Sequence, residues 1–157
     1  MMDDFSLETS EEVFIQTGSS DYIPKHAKYS KFLNEKQMER QISECRLMVS
    51  HAGIGSIIAS LKNDKPIIIV PRKPEYNEIY DKHQMEICSE LEHYHNASIL
   101  WDGQDINTII KSNPKMLNFS SKDILGLKIK QYIDSLERND SSYSPFPNIK
   151  RQTIAKD

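Results

Sequence analysis

The strongest constraint on this chain is a glycine turn between an apolar run and a helical pattern. The turn, Ser50–Ser56 (SHAGIGS), follows Leu47–Val49 and precedes Ile57–Leu61. A second apolar run, Ile67–Val70, comes shortly afterwards. Its three isoleucines and one valine show no polar alternation, which indicates a strand buried on both faces of a parallel sheet. The segment therefore predicts a β-α-β unit whose two polar loops lie at the same edge of that sheet.

Strand and helix patterns alternate along the rest of the chain. Short β-rich runs cover residues 13–17, 28–33 and 97–100, and helical patterns cover residues 35–45, 81–94, 106–111 and 120–136. Asn34 is the expected N-cap of the helix at 35–45. The alternation predicts an α/β fold with a doubly wound, mainly parallel sheet. We expect a polar N-terminal segment at 1–12, one α/β domain at 13–138 and an extended tail at 139–157.

Charge and cysteine content narrow the possible functions. The 157 residues carry a net charge of -3, which argues against broad nucleic-acid binding. The two cysteines, Cys45 and Cys88, have no metal-ligand spacing and are expected to be free thiols. Zinc is not expected either, because the spacing of His93 and His95 points the two rings apart on a helix and no second ligand pair accompanies them. No apolar run approaches the ~20 residues of a membrane span, so we expect no direct span.

The two polar loops carry residues suited to a phosphorylated sugar. The turn residues Gly53, Ile54, Gly55 and Ser56 open a helix, and free backbone N–H groups at a helix start attract anions. Arg72 follows the second strand and can form paired hydrogen bonds with phosphate oxygens. Farther along come four side chains that suit sugar hydroxyls: Glu78, Asp81, His83 and Gln84.

Each of these residues also has an ordinary structural explanation. His51 alone is more often a hydrogen-bonded structural histidine than a catalytic one. His83 and Gln84 could cap a helix, and Arg72 could form a surface ion pair with Glu78 or Asp81. The order of motifs is more specific than any single residue, since a glycine loop alone is a weak signal.

Taken in order, these motifs resemble the C-terminal, donor-binding half of GT-B glycosyltransferases. Ser50–Ser56, Lys65–Arg72, Glu78 and Asp81–Gln84 are similar to glycosyltransferase family 28 C-terminal domains. Within that family the chain resembles the PssE/EpsE-type subunit of bacterial exopolysaccharide glycosyltransferases. It is also similar to the soluble subunit of the eukaryotic split UDP-GlcNAc transferase. The resemblance covers about residues 13–101 and implies a Rossmann-like domain.

The resemblance implies a UDP-sugar substrate, no cofactor and no metal. It implies that a separate membrane-anchored subunit binds a lipid-linked acceptor, so that this chain works in the cytoplasm at the inner face of the membrane. It assigns a catalytic role to His51 and the diphosphate to Gly53–Ser56. It places the nucleotide near Arg72 and Glu78. It assigns binding of the donor sugar to three further residues: Asp81, His83 and Gln84.

Two departures from the family pattern leave a second function open. Many relatives carry a ribose-binding glutamate where this chain has Ala59, and the first β-α unit is expected to be absent. The chain is thus expected to be the donor-binding subunit of an inverting, UDP-sugar-dependent hexosyltransferase of exopolysaccharide or capsule synthesis. The alternative is a degenerate copy that binds the partner without turnover. A third class, another nucleotide-binding α/β protein, is disfavoured for dinucleotides because no GxGxxG turn follows the first strand.

Overall fold

The fold alternates short strands and helices. A computed structural model describes residues 2–72, 88–89, 91–93, 97–118 and 131. The helices are α1 (Met2–Glu8), α2 (Glu35–Glu44), α3 (Ile54–Lys62) and α4 (Ile106–Lys111), and residues 88–89 and 91–93 are also helical. The strands are β1 (Phe14–Gln16), β2 (Lys28–Ser30), β3 (Met48–His51), β4 (Ile67–Val70) and β5 (Ser98–Ile99). All these elements lie within one compact unit, Met1–Leu117.

The strands form two separate parallel sheets. β1 pairs with β2 in a two-stranded sheet, with Ile15 opposite Tyr29. β4 lies between β3 and β5 in a three-stranded sheet, with Val49 opposite Ile68. The predicted α/β fold with parallel strands is confirmed. The structure adds that its described strands are divided between two sheets.

The main core surrounds β4. Ile67, Ile68 and Ile69 are 0% exposed, as the apolar run predicted. Ile68 belongs to a buried cluster with Leu100, Ile106 and Ile110, which joins the sheet to α4. Burial of one such isoleucine contributes about 1.5–3 kcal/mol, so this cluster is the main stabilising unit of the sheet.

The helix predicted at residues 35–45 forms because its ends are well specified. Asn34 accepts a hydrogen bond from the Gln37 N–H, and the Gln37 side chain accepts one from the Asn34 N–H. This reciprocal capping box satisfies two backbone donors at the start of α2. On the inner face, Ile42 is buried and Cys45 is half-buried. The N-cap prediction for Asn34 is confirmed.

The N-terminal residues form a helix where the sequence indicated only a polar segment. Met2 and Phe5 of α1 pack against the core cluster. Asp3 is only 3% exposed, and its carboxylate accepts hydrogen bonds from the backbone N–H groups of residues 25, 26 and 27. The Tyr22 hydroxyl donates a further bond of 2.6 Å. Residues 1–12 thus contribute to the folded unit, because Asp3 fixes the segment that leads into β2.

Several sequence-based expectations concern residues outside the described ranges. The helix predicted at 81–94 is described only at residues 88–89 and 91–93, and that at 120–136 only at Gln131. Most of the second compact unit, Asn118–Asp157, lies outside the described ranges, and so does the boundary that the sequence indicated after residue 138. The domain 13–138 and the tail 139–157 therefore remain predictions. The two thiols are free: burial raises the pKa of Cys88 to about 11, and burial also raises that of Cys45.

Candidate functional site

A cleft of about 840 Å³ runs between the two sheets and ends at the glycine turn. Its walls include β1 and β3 along their lengths. At one end it is lined by residues that follow β1, β3 and β4, including Thr17, Ser19, Gly55 and Arg72. The carboxyl ends of parallel strands are the usual binding edge of an open α/β sheet. The polar loops after β3 and β4 lie at the same edge of the sheet, as predicted.

The start of α3, where Gly55 and Ser56 line this cleft, leaves two backbone donors without an acceptor in the described part of the chain. Gly53 is the N-cap and forms no side-chain capping bond. Its own N–H donates to the His51 carbonyl at 2.7 Å, and the Ser56 N–H donates to the Gly53 carbonyl at 3.0 Å. Within the described residues, the N–H groups of Ile54 and Gly55 have no acceptor. Two of the four predicted cradle amides can therefore bind an anion directly.

The two glycines of the turn serve different purposes. A Cβ added at Gly53 would lie 2.5 Å from Nε2 of His51, so any side chain at this position would displace the imidazole from the place it occupies. A Cβ added at Gly55 would meet no atom of the described chain within 4 Å. The open space beside Gly55 faces the cleft, where a missing side chain lets a ligand approach the backbone.

Two serine hydroxyls add a polar wall beside these amides. Ser50 Oγ donates to Ser56 Oγ at 2.8 Å, and both residues line the cleft. Because Ser56 accepts this bond, its own hydroxyl hydrogen remains available to a bound ligand. Ser50 at the end of β3 thus orients the hydroxyl that the sequence assigned to the diphosphate.

His51 and Arg72 lie close together at the ends of β3 and β4. Burial lowers the pKa of the His51 imidazole below its ordinary 6.5, and the positive charge of nearby Arg72 lowers it further. His51 is therefore neutral at pH 7, with one ring nitrogen able to donate and the other able to accept. Among the described residues no carboxylate forms an ion pair with Arg72, which lines the cleft and is exposed.

The structure thus brings together six of the predicted site residues: His51, Gly53, Ile54, Gly55, Ser56 and Arg72. The predicted nucleotide residue Glu78 lies outside the described residues, as do the predicted sugar residues Asp81, His83 and Gln84. Ala59, at the position where many relatives carry glutamate, also lines the cleft.

One part of the site was missed by the sequence analysis. The loop Thr17–Ser19 lines the same cleft as the glycine turn, although the sequence analysis assigned no binding role to it. Gly18 has a φ of 60°, a left-handed conformation that glycine adopts without strain. Its position directly after a β-rich run was the signal that would have placed it at the binding edge.

Comparison with protein families identifies the fold family. Residues 2–122 match the model of the glycosyltransferase family 28 C-terminal domain. The chain belongs to this family. The match covers both sheets and every residue of the glycine turn. This family 28 domain therefore carries its strand–turn–helix motif in the structural context that the sequence predicted.

One curated relative is similar over a shorter segment. The chain is 44% identical over 50 residues to the UDP-N-acetylglucosamine transferase subunit ALG13 of Debaryomyces hansenii. The matched segment is 32% of this chain and 22% of that relative. No solved structure matches this chain significantly.

Two features are absent from the described part of the chain. No group of three or more His, Cys, Asp or Glu side chains in that part of the chain is arranged to hold a metal ion. None of the helices found there is long and apolar enough to cross a bilayer. The metal-free site and the absence of a cofactor remain predictions from the family resemblance.

Proposed function

We propose that this chain is the donor-binding subunit of a split, inverting glycosyltransferase that uses a UDP-sugar. The main support is the uncapped start of α3, where the Ile54 and Gly55 N–H groups have no acceptor among the described residues and Gly55 lines a cleft together with Arg72. Family membership supplies the reaction class, and the geometry suits the diphosphate of a nucleotide sugar.

The proposed reaction is a displacement at the anomeric carbon of the donor sugar. An acceptor oxygen forms the new bond to this carbon while the bond to the β-phosphate oxygen breaks, and its electron pair leaves with UDP. Negative charge then grows on the β-phosphate, where the two free amides, the Ser56 hydroxyl and Arg72 stabilise it. Neutral His51 donates a hydrogen bond to the phosphate or the transferred sugar, and a base on the partner takes the acceptor proton.

The donor is proposed to be UDP-N-acetylglucosamine or a related UDP-hexose. The matched relative is named as a subunit of a UDP-N-acetylglucosamine transferase, and the 50 matched residues are 44% identical. With Ala59 in the cleft, ribose recognition is proposed to rely on Glu78 or on backbone groups. Asp81, His83 and Gln84 are proposed to bind the sugar.

A separate, membrane-anchored subunit is proposed to bind the acceptor. The relative's printed name describes a subunit, which favours a heteromeric enzyme. A lipid-linked acceptor at the inner face of the membrane follows from the family resemblance. The bacterial exopolysaccharide role remains part of this proposal, although the named relative favours UDP-N-acetylglucosamine chemistry.

Calorimetric titration of the chain with UDP, and with NAD as the control, tests the donor site. We expect UDP to bind and NAD to give no heat at the same concentrations. Co-expression with the proposed membrane-anchored subunit, followed by a sugar-transfer assay, then tests catalysis. UDP binding without transfer in the assembled complex would instead support the degenerate, partner-binding copy.

The substitution Gly55→Asp places a carboxylate where the diphosphate is proposed to lie. We expect UDP affinity to fall by at least about 30-fold, because like charges placed together cost several kcal/mol. Gly55→Asn has nearly the same volume without the charge, and we expect it to lose under about fivefold. Since a Cβ at Gly55 meets open space, both variants should fold. Equal affinities of the two variants and the wild type would contradict the assignment of this turn.

A further inference from the structure

The imidazole of His51 lies at the start of α3. A Cβ added at Gly53 would lie 2.5 Å from Nε2 and 3.1 Å from Cδ2 of this ring, so the ring fills the space beside the N-cap of the helix. The Gly53 N–H donates to the His51 carbonyl at 2.7 Å, which holds the end of β3 against the turn. The ring therefore lies beside the residue that the two amides without an acceptor, those of Ile54 and Gly55, directly follow in the chain.

Both ring nitrogens of His51 are available to a ligand. His51 is half-buried and lines the cleft. In the described part of the chain neither of its ring nitrogens forms a hydrogen bond. A structural histidine normally has its N–H group paired, because a polar group that is removed from water without a partner destabilises the fold. The structure thus favours a ligand-binding explanation of His51 over a purely structural one.

The charged surroundings of His51 in the free chain are positive. β3 packs against α3 and β4, and Arg72, just after β4, is the charged side chain among the described residues that acts on the ring. α3 carries no charged residue before Lys62, and neither β4 nor β1 carries any. The start of α3 adds the positive end of the helix dipole. Burial and Arg72 together lower the pKa of His51, so the free ring is neutral at pH 7.

A bound diphosphate would reverse the sign of this field. The two free amides of α3, the Ser56 hydroxyl and Arg72 are the groups proposed to bind it, and His51 adjoins them at the same end of the cleft. A nucleotide sugar carries negative charge on both phosphates, and a nearby opposite charge favours the protonated form of an imidazole. The protonated ring has two N–H donors and a positive charge, and hydrogen bonds between ionised groups are about twice as strong as neutral ones.

We propose that His51 takes up a proton from solvent when the diphosphate of the donor binds, so that an imidazolium and the guanidinium of Arg72 hold the bound donor together. The inference rests on the proposed function and deepens it, because it assigns His51 to the phosphate and not to the transferred sugar. The complex binds more protons than the free chain. Donor affinity therefore rises as the pH falls through the range in which His51 titrates and is constant above that range.

Calorimetric titration of the full chain with UDP-N-acetylglucosamine tests this proton uptake. The diphosphate of this probe is esterified at both ends and has no proton to exchange near neutral pH, whereas the terminal phosphate of UDP titrates near about pH 6. The heat of binding should differ between MES and Bis-Tris buffers at the same pH, because the buffer supplies the proton. We expect binding to be at least about fivefold tighter at about pH 5.5 than at about pH 8.

Two matched variants show which histidine takes up the proton. His51→Gln keeps an amide near the place of Nε2 but does not titrate. We expect this variant to bind with the affinity of the wild type at about pH 8, whatever the pH, and with the same heat in both buffers. His26→Gln, at an exposed histidine in the segment before β2, should behave like the wild type. A pH dependence that persists in His51→Gln would overturn the proposal.

Nuclear magnetic resonance of the histidine rings keeps the test independent of variant folding. In the unmodified chain, saturating UDP-N-acetylglucosamine should raise the pH at which the His51 ring signals titrate and leave the His26 signals unchanged. Binding without this rise, and with the same heat in both buffers, would overturn the inference and leave the donor site standing. If the probe does not bind anywhere between about pH 5.5 and about pH 8, the proposed function is wrong and the inference is wrong with it.

Discussion

The two parallel sheets are stabilised in different ways. In the three-stranded sheet, β4 is paired on both edges, and three of its isoleucines are 0% exposed. In the two-stranded sheet, no residue of β1 or β2 is buried. Its surroundings are fixed by polar contacts, including the Asp3 carboxylate with residues 25–27 and the ion pairs Lys28–Glu12 and Arg46–Glu11.

The three-stranded sheet is therefore a rigid platform, whereas the two-stranded sheet is a wall of the cleft that should open more easily. The β3-α3-β4 unit holds the glycine turn on the apolar sheet, so the Ile54 and Gly55 amides have a fixed direction. The β1–β2 sheet forms the other wall of the cleft, and its loop reaches the same site. Polar contacts at a half-exposed sheet contribute less than buried apolar contacts, so this wall should open first.

The same substitution in the two sheets should give the largest contrast. We expect Ile68→Ala in β4 to lower the free energy of unfolding by about 4 kcal/mol, because it leaves a cavity in the core. Ile15→Ala in β1 should cost only about 1 kcal/mol, since Ile15 is half-buried. Urea unfolding of both variants measures this, and equal losses would contradict the difference in burial between the two sheets.

The second-largest difference between the two sheets should be in their stability at low pH. Burial raises the pKa of the Asp3 carboxyl, but hydrogen bonds from residues 25, 27 and 26 and from Tyr22 outweigh it, so the pKa lies well below the ordinary 3.8. The unfolded carboxyl binds a proton near 3.8 and the folded one only at lower pH. The stabilisation is therefore present above that pH and is lost as pH falls below it.

We expect residues 13–31 to exchange amide hydrogens before residues 47–70 as the pH is lowered from 6 towards about 2. Hydrogen-exchange mass spectrometry, corrected for intrinsic rates, follows both sheets at once. Asp3→Asn should loosen residues 13–31 already at neutral pH and remove most of the pH dependence. Asp21→Asn, at an exposed carboxylate in the segment before β2, is the control and should behave like the wild type. Simultaneous opening of both sheets would refute the contrast.

The smallest effect is expected at the ion pair between the strand starts. Arg46 and Glu11 are each 48% exposed, so Glu11→Gln should lower the free energy of unfolding by only about 0.5 kcal/mol despite its two hydrogen bonds. Added salt should reduce the difference from the wild type. A salt-independent loss above about 2 kcal/mol would mean that this pair holds the two sheets together.

Elements with a local pattern could be predicted from the sequence. Ile67–Val70 is a strand with the predicted bounds, because four consecutive apolar β-branched residues leave few alternatives. Asn34 with Gln37 specifies the start of α2 through a capping box. Within the site, the SHAGIGS pattern placed the two free amides and Ser56 correctly at the start of a helix.

Features that depend on distant residues could not be predicted. Asp3 accepts hydrogen bonds from N–H groups that lie 22 residues or more along the chain. The sequence around α1 therefore gave no indication that this helix packs against the rest of the fold. The division into two sheets is likewise non-local, because a strand pattern does not specify which edge stays unpaired. The distinct roles of Gly53 and Gly55 depend on where the His51 ring packs, which the glycine spacing does not encode.

Nuclear magnetic resonance of the Ile54 and Gly55 backbone amides during a UDP titration tests the central claim most directly. If these N–H groups bind the diphosphate, both amide proton signals should move downfield and saturate with UDP, while the Tyr29 signal on the far sheet edge stays fixed. Saturating UDP that shifts neither amide, or that shifts only signals elsewhere, would contradict the account.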